Sequence, residues 1–132
     1  MNKQQVANTI LAVVLGIIFF VHGLAKFQMG LDNVAGWFGS MGLPGFLGYL
    51  VAFVELLGGA ALIVGFGVRY VSVALALVMI GAIIKVKLAN GLMGSAEAPG
   101  YELDLALLGA MVYFIIAGVK GPIDRRFGKK EA

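Results

Sequence analysis

The sequence has no cysteine, one histidine and few charged residues. Without cysteine, the chain cannot exchange disulfides, ligate an iron–sulfur cluster or bind zinc through thiolates. A single histidine excludes bis-histidine haem ligation and a multi-histidine site within one chain, so we predict no metal site. Charged residues make up 13% of the chain, against roughly 25% in soluble domains. That share is too small for a surface that faces water.

The chain is rich in apolar residues. Hydrophobic residues make up 61% of its 132 positions, and its mean hydropathy is +0.97. These values exclude disorder and predict an integral membrane protein. Since one span takes about 20 residues, four spans use most of the chain. We therefore expect one transmembrane domain over 1–132, with no separate soluble catalytic domain.

Four apolar runs predict spans at about residues 6–27, 46–66, 70–88 and 103–119. The first run resembles a signal peptide, but it is long for one and carries His22 and Lys26 in its last turns. Between the first two runs, residues 31–41 predict a short interfacial helix with Trp37 at headgroup depth. The predicted fold is an all-α, four-helix membrane bundle.

Four spans place both termini on one side of the membrane. Seven basic residues fall on that side and three on the other: Lys3, Arg69, Lys120, Arg125, Arg126, Lys129 and Lys130 against Lys26, Lys85 and Lys87. This asymmetry predicts cytoplasmic termini and a basic cytoplasmic tail over 120–132. The basic residues form no basic face, so nucleic acid is not an expected partner.

Few charged or titratable side chains fall inside the predicted spans. Counting helical rise from each span centre places Glu55 within about 2 Å of the midplane. On the same scale His22 lies about 7 Å and Lys85 about 9 Å toward the outer face, and Lys26 and Glu102 about 13 Å. A carboxylate at mid-span is a functional hypothesis by default, because a charge in the bilayer is costly.

These depths predict a polar pocket between the helices in the outer half of the membrane. Glu55 forms its floor and His22 its wall; the rim holds Lys26, Lys85, Glu102 and Asp104. Structural alternatives exist for each group. Lysines near helix ends reach headgroups, as we expect for Lys87; Glu102 and Asp104 suit a helix N-terminus. Glu55 and His22 suit hydrogen bonds between helices.

Several short motifs occur in an order that resembles the DoxX family of small membrane proteins. Residues 16–27 read GIIFFVHGLAKF, followed by Gly-Leu-Pro at 42–44 and ELLGGAALIVG at 55–65. The fourth span begins with Gly-Tyr-Glu at 100–102, and Pro-Ile-Asp-Arg at 122–125 is similar to the closing motif of the family. The resemblance covers about 15–127 and implies a four-helix membrane bundle.

The resemblance also implies a redox setting. Family members include a small subunit of a thiosulfate:quinone oxidoreductase, membrane partners in an oxidant-defence complex and companions of catechol or quinone detoxification enzymes, and this chain is most similar to the last, bacterial branch. We therefore expect an inner-membrane component that binds a quinone or related phenolic compound. His22 and Glu55 are the predicted proton-exchanging residues, and Lys26, Lys85, Glu102 and Trp37 the predicted ligand-binding residues.

Two other functions fit the sequence. One is a membrane scaffold that docks a soluble oxidoreductase or another redox subunit on the tail or on the loop over 89–100. The other is a small proton-coupled transporter built as a homo-oligomer. Under the leading hypothesis, electrons come from elsewhere, because the sequence has no redox-active thiol and no evident metal or flavin motif.

Overall fold

A computed structural model describes residues 1–127 of the chain, and the described part is helical. Six α-helices follow one another: α1 (Lys3–Met29), α2 (Leu31–Ser40), α3 (Phe46–Val64), α4 (Val68–Ala82), α5 (Glu102–Ala117) and α6 (Pro122–Phe127). Between α4 and α5 lie a π-turn (Ile83–Lys87) and a 3₁₀ turn (Leu88–Asn90). Within 1–127 the β-structure is one isolated bridge between Gly94 and Pro99.

Four helical stretches are long and apolar enough to cross a membrane: Lys3–Met29, Phe46–Val64, Val68–Asn90 and Glu102–Phe127. The prediction of an all-α, four-helix membrane bundle is confirmed. The short helix predicted between the first two spans is α2. The third span is not one regular helix, because its last part is the π-turn and the 3₁₀ turn.

Both described chain ends lie at the same end of the bundle. Arg125 of α6 contacts the Met1 sulfur at 2.7 Å, and a methyl group on Gly121 would lie 2.3 Å from the Gly65 backbone. We call this end the terminal side and the opposite end, which carries α2, the far side. Lys129 and Lys130 of the predicted basic tail lie outside the described residues.

Asp124 ties the end of the chain to the start of the third span. Its carboxylate accepts hydrogen bonds from the backbone N–H groups of Gly67 at 2.6 Å, Val68 at 3.1 Å and Gly121 at 3.1 Å. The first N–H groups of a helix have no partner within the helix, and a carboxylate there also suits the helix dipole. Asp124 therefore caps α4 from a distant part of the sequence.

The closest helix contact in the bundle joins α1 to α3 through glycines. A methyl group on Gly23 would lie 2.5 Å from the Leu56 nitrogen, and one on Gly59 would lie 2.4 Å from the Phe20 nitrogen. Gly16 faces Gly59 in the same way. Small residues allow helix backbones to approach closely in a membrane. The two backbones are therefore in contact, and their relative register is fixed.

The second helix pair packs through larger side chains. Leu75 and Met79 of α4 are buried together with Leu107, Met111 and Phe114 of α5. Phe19 of α1 and Leu62 of α3 belong to the same core cluster. The bundle thus consists of two antiparallel helix pairs, α1 with α3 and α4 with α5, that share one core.

We expect Gly59→Ala to destabilise the bundle, because its methyl group overlaps the Phe20 backbone rather than a movable side chain. Overpacking of this kind costs about 1–3 kcal/mol. Gly109→Ala is the matched control, since nothing lies within 4 Å of a methyl group on Gly109. Thermal unfolding of the purified protein in detergent measures both. Equal unfolding temperatures for the two variants would contradict the close α1–α3 contact.

Candidate functional site

A cavity of about 420 Å³ lies in the far-side half of the bundle. Every span and the α2 region contribute to its lining. Most of the lining is apolar: Phe19, Trp37, Phe38, Met41, Leu43, Leu47, Val51, Leu77, Val78, Met79, Gly81, Ala82, Val86 and Leu107. The remaining lining residues are His22, Lys26, Glu55, Lys85, Lys87 and Asp104. All the predicted polar groups except Glu102 therefore line a ligand-sized space.

Glu55 forms an ion pair with Lys26 across the α1–α3 contact. The Lys26 Nζ lies 2.6 Å from the Glu55 Oε1. The Glu55 side chain is 4% exposed and that of Lys26 is 20% exposed. Removing a charge from water is costly unless an opposite charge compensates it. The pair thus explains how a carboxylate is accommodated at the middle of the second span.

The predicted separation of Lys26 and Glu55 is wrong. Centring each span on the membrane placed them about 11 Å apart in depth. The glycine contacts instead set Gly23 of α1 at the level of Glu55 and Leu56, so Lys26 is less than one turn further along. The centring assumption failed because α1 (Lys3–Met29) is longer than α3 (Phe46–Val64) and is offset along it. Lys26 therefore belongs to the floor with Glu55.

A second ion pair lines the same cavity on the other helix pair. The Lys87 Nζ lies 3.1 Å from the Asp104 Oδ2 and 3.3 Å from the Oδ1. Asp104 is buried in the first turn of α5, and Lys87 is partly buried at the end of the π-turn. Lys87, which was expected to reach the headgroups, thus pairs with a carboxylate that faces the cavity. Asp104 was predicted at the rim, but its pairing with Lys87 was not predicted.

The π-turn explains why Lys87 faces the cavity. In a regular α-helix, five residues turn through about 500°, which leaves Lys87 about 140° away from the face of Ala82. A π-turn hydrogen-bonds residue i to i+5, so residues five apart lie on the same face. Ala82 and Lys87 accordingly line the same cavity. Sequence reasoning missed this pair because it assumed a regular helix.

His22 lies at the edge of the cavity, one helical turn from Lys26. Its Nδ1 is 2.8 Å from the Ile18 carbonyl oxygen. A carbonyl oxygen only accepts hydrogen bonds, so Nδ1 donates and, in the neutral ring, carries the proton. The Nε2 of that tautomer is unprotonated and accepts hydrogen bonds. The structure therefore brings His22 to the cavity beside Glu55, with one ring nitrogen satisfied within its own helix.

The other predicted ligand-binding residues divide between the cavity and the surface. Lys85 and Trp37 line the cavity, and both are exposed at its edge. Within 1–127, Lys85 has no ion pair or hydrogen bond, unlike Lys26 and Lys87. Glu102 is exposed and does not line the cavity. Three residues of the α2 region, Phe38, Met41 and Leu43, line it and were not predicted to do so.

The helix α2 is attached to α3 above the cavity. Tyr49 of α3 donates a hydrogen bond to the Asp32 carboxylate of α2. A methyl group on Gly48 would lie 3.1 Å from the Ala35 backbone, so these two helices also approach closely. Their contact holds Trp37 and Phe38 over the cavity. Among residues 1–127, no three acidic or histidine side chains gather closely enough to hold a metal ion.

These features define a small multi-pass membrane protein with a charged, largely apolar cavity between its helices. The sequence profile of the DoxX family matches residues 7–88, and the chain belongs to this family. A Bacillus subtilis protein named "Putative oxidoreductase CatD" is 44% identical over 119 residues. The match covers 89% of this chain and 84% of the Bacillus protein.

A more distant relative is an uncharacterized membrane protein of Mycobacterium tuberculosis. It is 28% identical, and the match covers 89% of this chain and 79% of the relative. No solved structure matches the chain at a significant level. Both relatives come from bacteria, in agreement with the bacterial membrane protein expected from the sequence.

We expect Lys26→Met to destabilise the protein more than Lys85→Met does. Lys26→Met leaves the buried Glu55 without its counter-charge, and breaking a buried pair costs about 3 kcal/mol or more. Lys85 compensates no described carboxylate, so its loss costs little. Thermal unfolding in detergent measures the difference. Adding Glu55→Gln to Lys26→Met removes the uncompensated charge and should restore much of the stability, whereas a further loss would contradict the pairing.

Proposed function

We propose that this DoxX protein binds a quinone or a related phenolic compound in the cavity. It acts as a membrane component of an oxidoreductase system for oxidant or quinone detoxification. The observation that carries the proposal is the Lys26–Glu55 pair in the floor of a largely apolar cavity. Ligand sites are typically apolar spaces of this kind with a few placed polar groups.

The chemistry of a quinone matches both parts of this lining. Its ring and any apolar tail fit the aliphatic and aromatic side chains, and its oxygens need hydrogen-bond partners away from water. Lysine ammonium groups donate to such oxygens and stabilise the negative charge of a phenolate. Lys26 and Lys85 supply these donors, and Trp37 covers the ring from the far side.

His22 and Glu55 are the proposed proton-exchanging groups. Quinone reduction takes up two protons with two electrons, so a quinone site needs groups that pass protons to the ring oxygens. His22 presents an unprotonated Nε2 in the tautomer that its Ile18 contact favours. Glu55 offers a buried carboxylate at the cavity wall. Both positions suit general acid–base exchange with a bound ring.

The electrons come from a partner in this proposal. The relative named an oxidoreductase supports the redox setting. A soluble flavin- or nicotinamide-dependent enzyme, or another redox subunit, is the partner class that this requires. This chain then binds the ring, orients its oxygens and handles protons within the membrane.

The proposal predicts that Glu55→Gln weakens binding of the reduced quinone at least tenfold, or about 1.4 kcal/mol. Glutamine keeps the shape of the side chain but removes the charged carboxylate that accepts a hydrogen bond from a ring hydroxyl. Titration of the purified protein with a short-chain benzoquinol measures the affinity, and thermal unfolding verifies that each variant is folded. Glu102→Gln is the matched control, because Glu102 does not line the cavity. Equal affinity of wild type and Glu55→Gln would remove Glu55 from the site.

We further propose that the terminal side faces the cytoplasm of a bacterial cell. Among the described residues, that side carries Lys3, Arg69, Lys120, Arg125 and Arg126, and the far side carries Lys26, Lys85 and Lys87. Excess lysine and arginine mark the cytoplasmic side of membrane proteins. This orientation places the cavity in the half of the bundle that lies in the outer leaflet.

The absence of cysteine makes the orientation directly testable. We expect Ala96→Cys, in the exposed far-side loop, to react with a membrane-impermeant maleimide on intact cells. Phe127→Cys, exposed on the terminal side, should react only after the cells are opened. The reverse pattern would show that the termini face outward. Wild-type protein, which has no thiol, gives the background.

A further inference from the structure

Two lysine–carboxylate pairs line one cavity from different helix pairs. Lys26–Glu55 joins α1 to α3, and Lys87–Asp104 joins the π-turn to α5. Because the two ion pairs join different helices, they line the cavity from two sides. Apolar side chains such as Val51 and Leu107 line the space as well. The cavity is therefore polar at two places and apolar elsewhere.

Each pair holds a buried carboxylate oxygen whose contact within residues 1–127 is the lysine of that pair. The Glu55 Oε1 lies 2.6 Å from the Lys26 Nζ, and the Asp104 Oδ2 lies 3.1 Å from the Lys87 Nζ. Neither oxygen has a further hydrogen-bond donor among these residues. Glu55 is 3% and Asp104 5% exposed. A carboxylate oxygen has two lone pairs, so each oxygen can accept a hydrogen bond from a ligand as well.

A hydroxyl group fits each pair. A hydroxyl both donates one hydrogen bond and accepts others. The carboxylate oxygen accepts from its O–H, and the neighbouring lysine ammonium donates to its oxygen. A ketone oxygen satisfies only the lysine, because it cannot donate. Each pair thus offers a hydroxyl one carboxylate acceptor and one lysine donor, and the two pairs do so from two sides of the cavity.

We propose that the cavity binds an aromatic ring with hydroxyl groups at opposite ends, one at each ion pair. This inference rests on the proposed function and narrows its ligand to 1,4-dihydroxylated rings, the reduced form of a para-quinone. Lys26 with Glu55 holds one hydroxyl, and Lys87 with Asp104 holds the other. A 1,2-dihydroxylated ring places both oxygens at one end and leaves the second ion pair without a hydroxyl.

The test compares three probe rings on the full-length protein in detergent: methylhydroquinone, 4-methylcatechol and 4-methylphenol. Two double variants each remove one pair, namely Lys26→Met with Glu55→Gln and Lys87→Met with Asp104→Asn. Each replaces both members, so neither leaves an unpaired buried charge. Calorimetric titration gives the affinity of each ring, and Glu102→Gln is the control at a carboxylate outside the cavity.

We expect methylhydroquinone to lose at least tenfold in affinity in either double variant, because each removes one of its two anchors. 4-Methylphenol has a single hydroxyl and can use either pair. It should lose no more than about twofold in either variant, the statistical factor for one site instead of two. Only removal of both pairs together should weaken 4-methylphenol tenfold. Wild type should bind methylhydroquinone more tightly than 4-methylcatechol.

The outcomes separate this inference from the proposed function. If methylhydroquinone binds but responds to only one pair, or if 4-methylcatechol binds equally well, the two-ended site is overturned and the proposed function stands. If no ring binds to wild type, the proposed function fails, and the inference with it. Should the double variant at Lys87 and Asp104 not fold, the single variant Asp104→Asn carries the same expectation for methylhydroquinone and 4-methylphenol.

Discussion

The backbone contact between α1 and α3 fixes the geometry on which the site depends. Because Gly23 and Gly59 let the two helices touch, one register is set and side-chain adjustment cannot shift it. That register brings Lys26 within reach of Glu55. Larger side chains at these glycines would separate the helices and leave the carboxylate alone in an apolar environment. The small residues and the charged pair therefore form one structural unit. Glu55 and Gly59 share a face of α3, and Gly23 and Lys26 share a face of α1.

In a membrane, the lysine and the carboxylate of this unit are costly to separate. In water, a separated lysine and glutamate are each hydrated, and an exposed pair contributes little to stability. In the bilayer, neither group has that alternative, so separation of a buried pair costs far more than the pair itself contributes. Replacing both members by apolar residues could give a bundle of equal stability. Stability alone therefore does not account for two such pairs around one cavity.

Much of this could be predicted from the sequence. The number of spans, the short helix and the place of Glu55 in a cavity between the helices follow from long apolar runs interrupted by one carboxylate. The partners of the charges could not be predicted. Lys26 and Glu55 meet because α1 is offset along α3, and an offset depends on packing rather than on the pattern within either helix. Lys87 meets Asp104 because a π-turn rotates it, and no residue between Ile83 and Lys87 signals this turn. Glu102 is only two residues from Asp104 but does not line the cavity. Closeness in sequence therefore did not predict which residues line it.

The π-turn itself shapes the cavity. A helix within a membrane gains from regular backbone hydrogen bonds, because few alternatives exist there. Departure from regularity persists where something compensates it, and π-turns occur frequently at functional sites. Here the compensation is local: the turn moves Lys87 to the cavity face, where it meets a buried aspartate on the next helix. A regular third span would direct Lys87 away and leave Asp104 without a cation. The first helix pair, α1 with α3, also places a lysine beside a buried carboxylate at the cavity, but it does so with regular helices. A charged pair that lines the cavity is therefore common to both helix pairs.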